Sequence, residues 1–242
     1  MLSSHSEGAV KIYRHRGQRE GCNAFENSLI STLRGPVLFE AIFNSNINLT
    51  AEEWNDLVGF GNNKPNDTIE YIMRALRLMR EGGFVMDCKA VNHVLSPSIE
   101  FEAQMLRRRY LPILAGLQDS FYASETPTQG QKPDVDAIVE LKRCHRLRMY
   151  GLGLFVAILL NYIISTTGVP QAEILDESER HAEEVVFLAR VATRYRPLGA
   201  GIFAICLPTA WIISRNVKTK IAAEELRLEY EKDFRDTSFT YS

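Results

Sequence analysis

At 242 residues, with 45% apolar and 24% charged side chains, the chain can bury a sizeable core, and its ordinary composition excludes wholesale disorder and a multi-span membrane protein. Its 28 basic and 30 acidic residues leave a formal net charge of −2, so no global field holds a nucleic-acid backbone, and such a contact would need a local patch or a partner. Cys22, Cys88, Cys144 and Cys206 stand alone, without the close pairs of a closed zinc site or a disulfide framework, and read as buried thiols of a reducing compartment.

In chain order, the segment from Met1 to Gly17 has no apolar stretch before its basic residues, so no secretory signal is expected and an intracellular protein is the default. Thr50 and Glu53 form a capping-box pattern ahead of Trp54 and Leu57, with Trp54 expected as a buried anchor. Asp67 with Glu70 repeats the pattern for a segment ending at Gly82-Gly83, in which Ile69, Ile72, Met73, Leu76 and Met79 keep helical spacing. Ser96-Pro97 opens a longer helix on which Ile99, Ala103, Leu106, Tyr110, Ile113, Leu114, Leu117 and Phe121 recur every three or four residues, with a kink expected at Pro112.

From Ser124 to Pro133 the composition turns to Ser, Thr, Pro, Gln and Gly, and this stretch is the candidate linker loop between an N-terminal helical half, 1–123, and a C-terminal half, 134–242, the two expected to form one continuous domain. Helical patterns resume near Asp134 and run to Ser165, then from Glu177 to Arg194, from Leu198 to Ser214 and from Lys218 to Phe234. Extended alternating runs are nearly absent. The expected fold is all-α, an irregular array of roughly ten helices.

Met149 to Ala172 and Pro197 to Ser214 carry no charge, and basic residues flank them as a membrane hairpin would require. Asn161, Ser165, Thr166 and Thr167 interrupt the first stretch, and Pro208 and Thr209 the second, which favours two buried core helices over the hairpin. The basic runs Arg107 to Arg109 and Lys142 to Arg148 lack the interleaved aromatics of a stacking surface and read as solvated helix faces. His181 with Glu183 and Glu184, and His145 beside Cys144, are the histidines nearest to ligand or acid–base partners, and neither completes a metal constellation. No GxSxG, Walker or GxGxxG pattern occurs, so no catalytic residue, cofactor or metal ligand is assigned; an all-α enzyme or small-molecule binder with a pocket between helices is the reading left open.

Near the C-terminus, Tyr195-Arg196-Pro197-Leu198-Gly199-Ala200 reads as a helix–helix corner: Pro197 suits a first helical turn and Gly199 permits close packing. This segment resembles one near the C-terminus of the regulatory region of fungal zinc-cluster transcription factors. Other pieces agree in order: Gly8-Ala9, Arg16-Gly17, Arg34-Gly35 with Phe39 to Phe43, Glu53-Trp54, Cys144-His145 with Tyr150-Gly151, and Tyr230 with Asp233-Phe234. The resemblance implies an all-helical regulatory region in the nucleus that controls pathway or secondary-metabolite genes. It further implies work through protein partners or a homodimer, with room for a small-molecule effector. A binuclear zinc cluster needs six suitably spaced cysteines, and these residues hold four, so sequence-specific DNA binding by this chain is not expected.

Overall fold

The computed structural model describes residues 3–16, 25, 37–38, 41, 47, 49–59, 68–81, 97–125, 137–167, 171–196 and 199–235. The expected cap at Asp67, the stop at Gly82-Gly83, Gly17, Arg34-Gly35, most of the Phe39 to Phe43 segment, Cys22, Cys88 and Pro197 lie outside these residues. The described secondary structure is all helical: α1 (Ser3–Arg16), α2 (Ala51–Gly59), α3 (Thr68–Glu81), α4 (Pro97–Glu125), α5 (Ala137–Thr167), α6 (Ala172–Ala192), α7 (Phe203–Ile213) and α8 (Val217–Arg235), with a 3-10 turn at Thr193–Tyr195. The all-α class holds, and eight α-helices stand among the described residues where about ten were expected. The segment opening at Pro97 forms one helix of 29 residues that continues through Pro112.

The chain divides into two units, Met1–Val85 and Met86–Ser242. In the first, Thr50 and Glu53 cap α2 reciprocally: the Glu53 amide donates to Thr50 Oγ1 at 3.1 Å and the Thr50 amide to Glu53 Oε2 at 2.8 Å. The same carboxylate takes a fork of two bonds from Arg14 on α1, at 2.6 and 3.1 Å, and these bonds, first among the causes, hold its pKa below the usual range. Behind the cap, Trp54 and Leu57 are buried, as are Ile72, Met73, Leu76 and Met79 of α3.

In the second unit α5 is the central element, packed by α4, α6 and α7, while α8 closes over α6 and α7. The division between units falls before α4, and α4 and α5 pack on each other. From Gly153 through Asn161 every residue of α5 is buried, whichever way its side chain points. A helix apolar around its whole circumference has no solvent face to offer and must be enclosed. Its polar end is satisfied locally, with the Ser165 hydroxyl donating to Asn161 O at 2.7 Å and Thr166 to Tyr162 O at 2.8 Å.

Among the described residues one helix, α5, is long and apolar enough to cross a membrane by length and composition, and 78% of its apolar window is covered by the protein itself. The second uncharged stretch forms only the 11 residues of α7, roughly 16 Å long against the ~30 Å of a hydrocarbon core. Core burial accounts for the first stretch, while α7 buries Phe203, Cys206, Leu207, Thr209 and Ala210 and is too short to span. Leu159, 1% exposed, is the residue at which to test it. Leu159→Lys should destabilise the unit by several kcal/mol, on the order of the cost of an unpaired buried charge, and abolish soluble expression. An unchanged melting temperature and soluble yield would instead place this face in solvent.

Candidate functional site

The corner is built where α6 ends. The helix stops at Ala192, tightens into the 3-10 turn, and Arg196 is extended at φ −65°, ψ 152°, the conformation favoured before a proline. The Gly199 amide then donates to Tyr195 O at 2.9 Å, so the chain turns back, and α7 begins at Phe203 rather than at Leu198. The turn is tight: a Cβ on Gly199 would lie 2.8 Å from the Tyr195 carbonyl oxygen and 2.9 Å from Cys144 Sγ. The Cys144 thiol donates to the Gly199 carbonyl at 3.6 Å, which ties α5 to the turn.

The side chains of Tyr195 and Arg196 reach two different helices. The Tyr195 hydroxyl donates to Glu140 Oε2 on α5 at 2.8 Å, and burial first, then that carboxylate, push its pKa up to about 12. Arg196 donates to both Asp233 oxygens at 2.6 and 2.7 Å, to the Glu229 carbonyl at 2.8 Å and to the Glu229 carboxylate. Four donations from a group with five N–H bonds leave little to offer an incoming anion, so the guanidinium is a clamp on the last turns of α8. Its plane lies over the Tyr230 ring at 5.2 Å, and the buried Tyr230 hydroxyl donates to Ala189 O of α6 at 2.8 Å. A second close approach sits beneath, where Gly151 of α5 meets Phe203 and its carbonyl accepts from the buried Cys206 thiol at 3.6 Å. Trp54 belongs to the other unit, buried in α2.

A polar cluster lies deeper in the unit. Arg107 of α4 donates to Asn161 Oδ1 of α5 at 2.8 Å and to Glu177 of α6, and Asn161 Nδ2 donates to Glu177 Oε2 at 3.0 Å. The three side chains thus close a triangle across three helices, with Asn161 only 1% exposed. Burial would raise the Glu177 pKa, but the bonds from Arg107 and Asn161 outweigh it and hold the carboxyl below its usual range. One turn on, His181 is pushed down to about 4, by burial first and by the cations Arg180 and Arg107, against the pull of Glu177.

This arrangement revises the histidine reading. Glu184 accepts from Tyr122 at 2.6 Å and Glu183 from Asn216 at 3.4 Å, so neither is committed to His181, whose neighbour is Glu177. His145 is exposed. Among the described residues no group of three His, Cys, Asp or Glu could hold a metal ion. The basic run at 107–109 is split, with Arg107 turned into the cluster and Arg108 and Arg109 exposed. Sequence reasoning passed over the cluster; its trace was the lone Asn161 inside an apolar run. No family model, curated protein or solved structure matches the chain.

Two outcomes test this geometry. Gly199→Ala should destabilise by about 1 to 3 kcal/mol through crowding, whereas Gly116→Ala, on an open face of α4, should stabilise by roughly 0.5 to 1 kcal/mol through helix propensity. Equal shifts in denaturation midpoint would show that the corner is loose. His181 binds a proton near pH 6.5 when unfolded and near 4 when folded, so the unfolded state gains protons first and stability falls as pH drops through that window. The slope should approach ~1.4 kcal/mol per pH unit and flatten in His181→Gln; parallel pH profiles of the two proteins would remove His181 from the acid response.

Proposed function

We propose that this chain is a transcription regulator of fungal zinc-cluster type whose helical region acts in the nucleus through protein partners, in the control of a pathway or secondary-metabolite gene cluster. The observation that supports the reading is a convergence. Tyr195, Arg196 and Gly199 come together with Cys144, Tyr230 and Asp233, residues that carry the resemblance from positions far apart in sequence. The segment therefore works as one clamp joining α5, α6 and α8, which a regulatory domain needs if its surface is to be presented in a fixed shape. Its chemistry is positional: the charges are neutralised in pairs, and the hydroxyls of Tyr195 and Tyr230 are committed as donors.

The residues do not fit a zinc cluster. The sequence holds four cysteines, and the thiols of Cys144 and Cys206 donate to the carbonyls of Gly199 and Gly151. In this reading, promoter contact comes from a partner or from a DNA-binding part outside these residues. The test is a reporter assay in a fungal host, with the chain fused to an unrelated DNA-binding module. The fusion should change reporter output, and the purified chain alone should bind duplex DNA no better than the micromolar-to-weaker affinity, about 10⁻⁴ to 10⁻⁶ M, of non-specific contacts. A silent fusion would overturn the regulatory reading, and tight sequence-selective binding by the chain alone would overturn the need for a partner.

A further inference from the structure

The N-terminal turns of α5 carry an exposed surface outside the clamp and the core. Ile138, Leu141, Lys142, His145, Arg146 and Arg148 are all exposed, and at 100° per residue they fall on one arc of about 160°. Leu141 is 70% exposed and Ile138 58%. No described ion pair or hydrogen bond engages Lys142, Arg146 or Arg148. Glu140, the acidic residue of these turns, lies on the opposite side, bound to Tyr195 and Arg143. The surface ends where α5 enters the core at Gly153.

We infer that this arc is a docking face for an acidic, amphipathic peptide segment of a protein partner, whose carboxylates meet Lys142, Arg146 and Arg148 and whose aliphatic side chains cover Leu141 and Ile138. Charge complementarity sets the sign of the partner, because the arc holds cations and no anion. The two aliphatic side chains set its class. Nucleic acid would use the cations but has no use for a leucine exposed among them, and the arc offers no aromatic ring on which a base could stack. A lipid surface would need a broad apolar face to insert, and the apolar face of these turns, with Leu147 and Tyr150, is already buried inward. Two aliphatic contacts ringed by charge suit a short helix laid in a groove or along a face.

This inference names a partner chemistry for the regulatory reading but stands on the surface alone. The test is fluorescence anisotropy of the full chain with a labelled peptide of about 15 residues, four helical turns, carrying leucines at i, i+3, i+4 and i+7 among glutamates. Parallel measurements use the same peptide with serine for leucine, vesicles of phosphatidylserine and phosphatidylcholine, and duplex DNA. The leucine peptide should bind best. Its affinity should fall at least about tenfold for the triple variant Lys142→Glu, Arg146→Glu, Arg148→Glu, and severalfold for Leu141→Ser, with melting temperatures unchanged because all four positions are exposed. If the triple variant fails to fold, Arg146→Glu alone supplies the charge test. Equal binding by wild type and charge-reversed protein, indifference to Leu141→Ser, or preference for vesicles or DNA would each overturn the docking face. The assay contains no promoter, so its failure leaves the reporter result untouched, and a silent reporter leaves the binding result untouched.

Discussion

A stretch of helix with no polar side, such as α5 from Gly153 to Leu160, is soluble only when other helices surround it, and those helices must also answer any polar atom it carries inward. Asn161 is that polar atom carrier. Its amide has donors and an acceptor to satisfy at 1% exposure, and leaving one unpaired would cost about 1 to 3 kcal/mol. Arg107 and Glu177 complete it, and in doing so they fix where α4 and α6 lie along α5. Neither ion is stable there alone, since each has lost much of its water. The triangle is therefore a registry device: it tolerates one alignment of three helices, where apolar packing alone would tolerate several.

The corner solves the same problem at the other end of the bundle by different means. Here the chain must leave α6, turn and return beside α5, which brings backbone carbonyls close to side chains with little room for water. Gly199 and Gly151 remove the side chains that would obstruct the approach, and the two thiols act as weak donors to the Gly199 and Gly151 carbonyls. Arg196 adds the long-range element. It meets the C-terminal turns of α8, where a cation is also favoured by the helix dipole, and so holds the last helix against the turn.

Much of this was legible in the sequence where the signal is local. The capping box at Thr50 and Glu53, the long helix opening at Pro97, and the helices at 137–167 and 217–235 all follow from residues within a few turns of one another. The errors arise where distant contacts decide. Leu198 reads as the start of a helix, yet the Tyr195 carbonyl captures the Gly199 amide and delays α7 to Phe203. Arg107 and Glu177 are 70 residues apart, and no periodicity announces that one will need the other. Asn161 was visible as an interruption of an apolar run, and its meaning depended on which helices would enclose it.

The charges of the second unit then sort into two kinds, and the sorting bears on function. Arg107 and Arg196 each face a carboxylate and are partly withdrawn from water, so changing one removes the charge that balances its partner and alters the fold before it alters any encounter. Lys142, Arg146 and Arg148 face none among the described residues and hold no helix in place. A cation that does not serve the fold is free to be set by what approaches from outside, at little cost in stability. With the interior charges committed to registry and the hydroxyls of the corner committed as donors, the proposed docking face uses cations that the fold leaves uncommitted, on the same helix whose buried half the rest of the unit encloses.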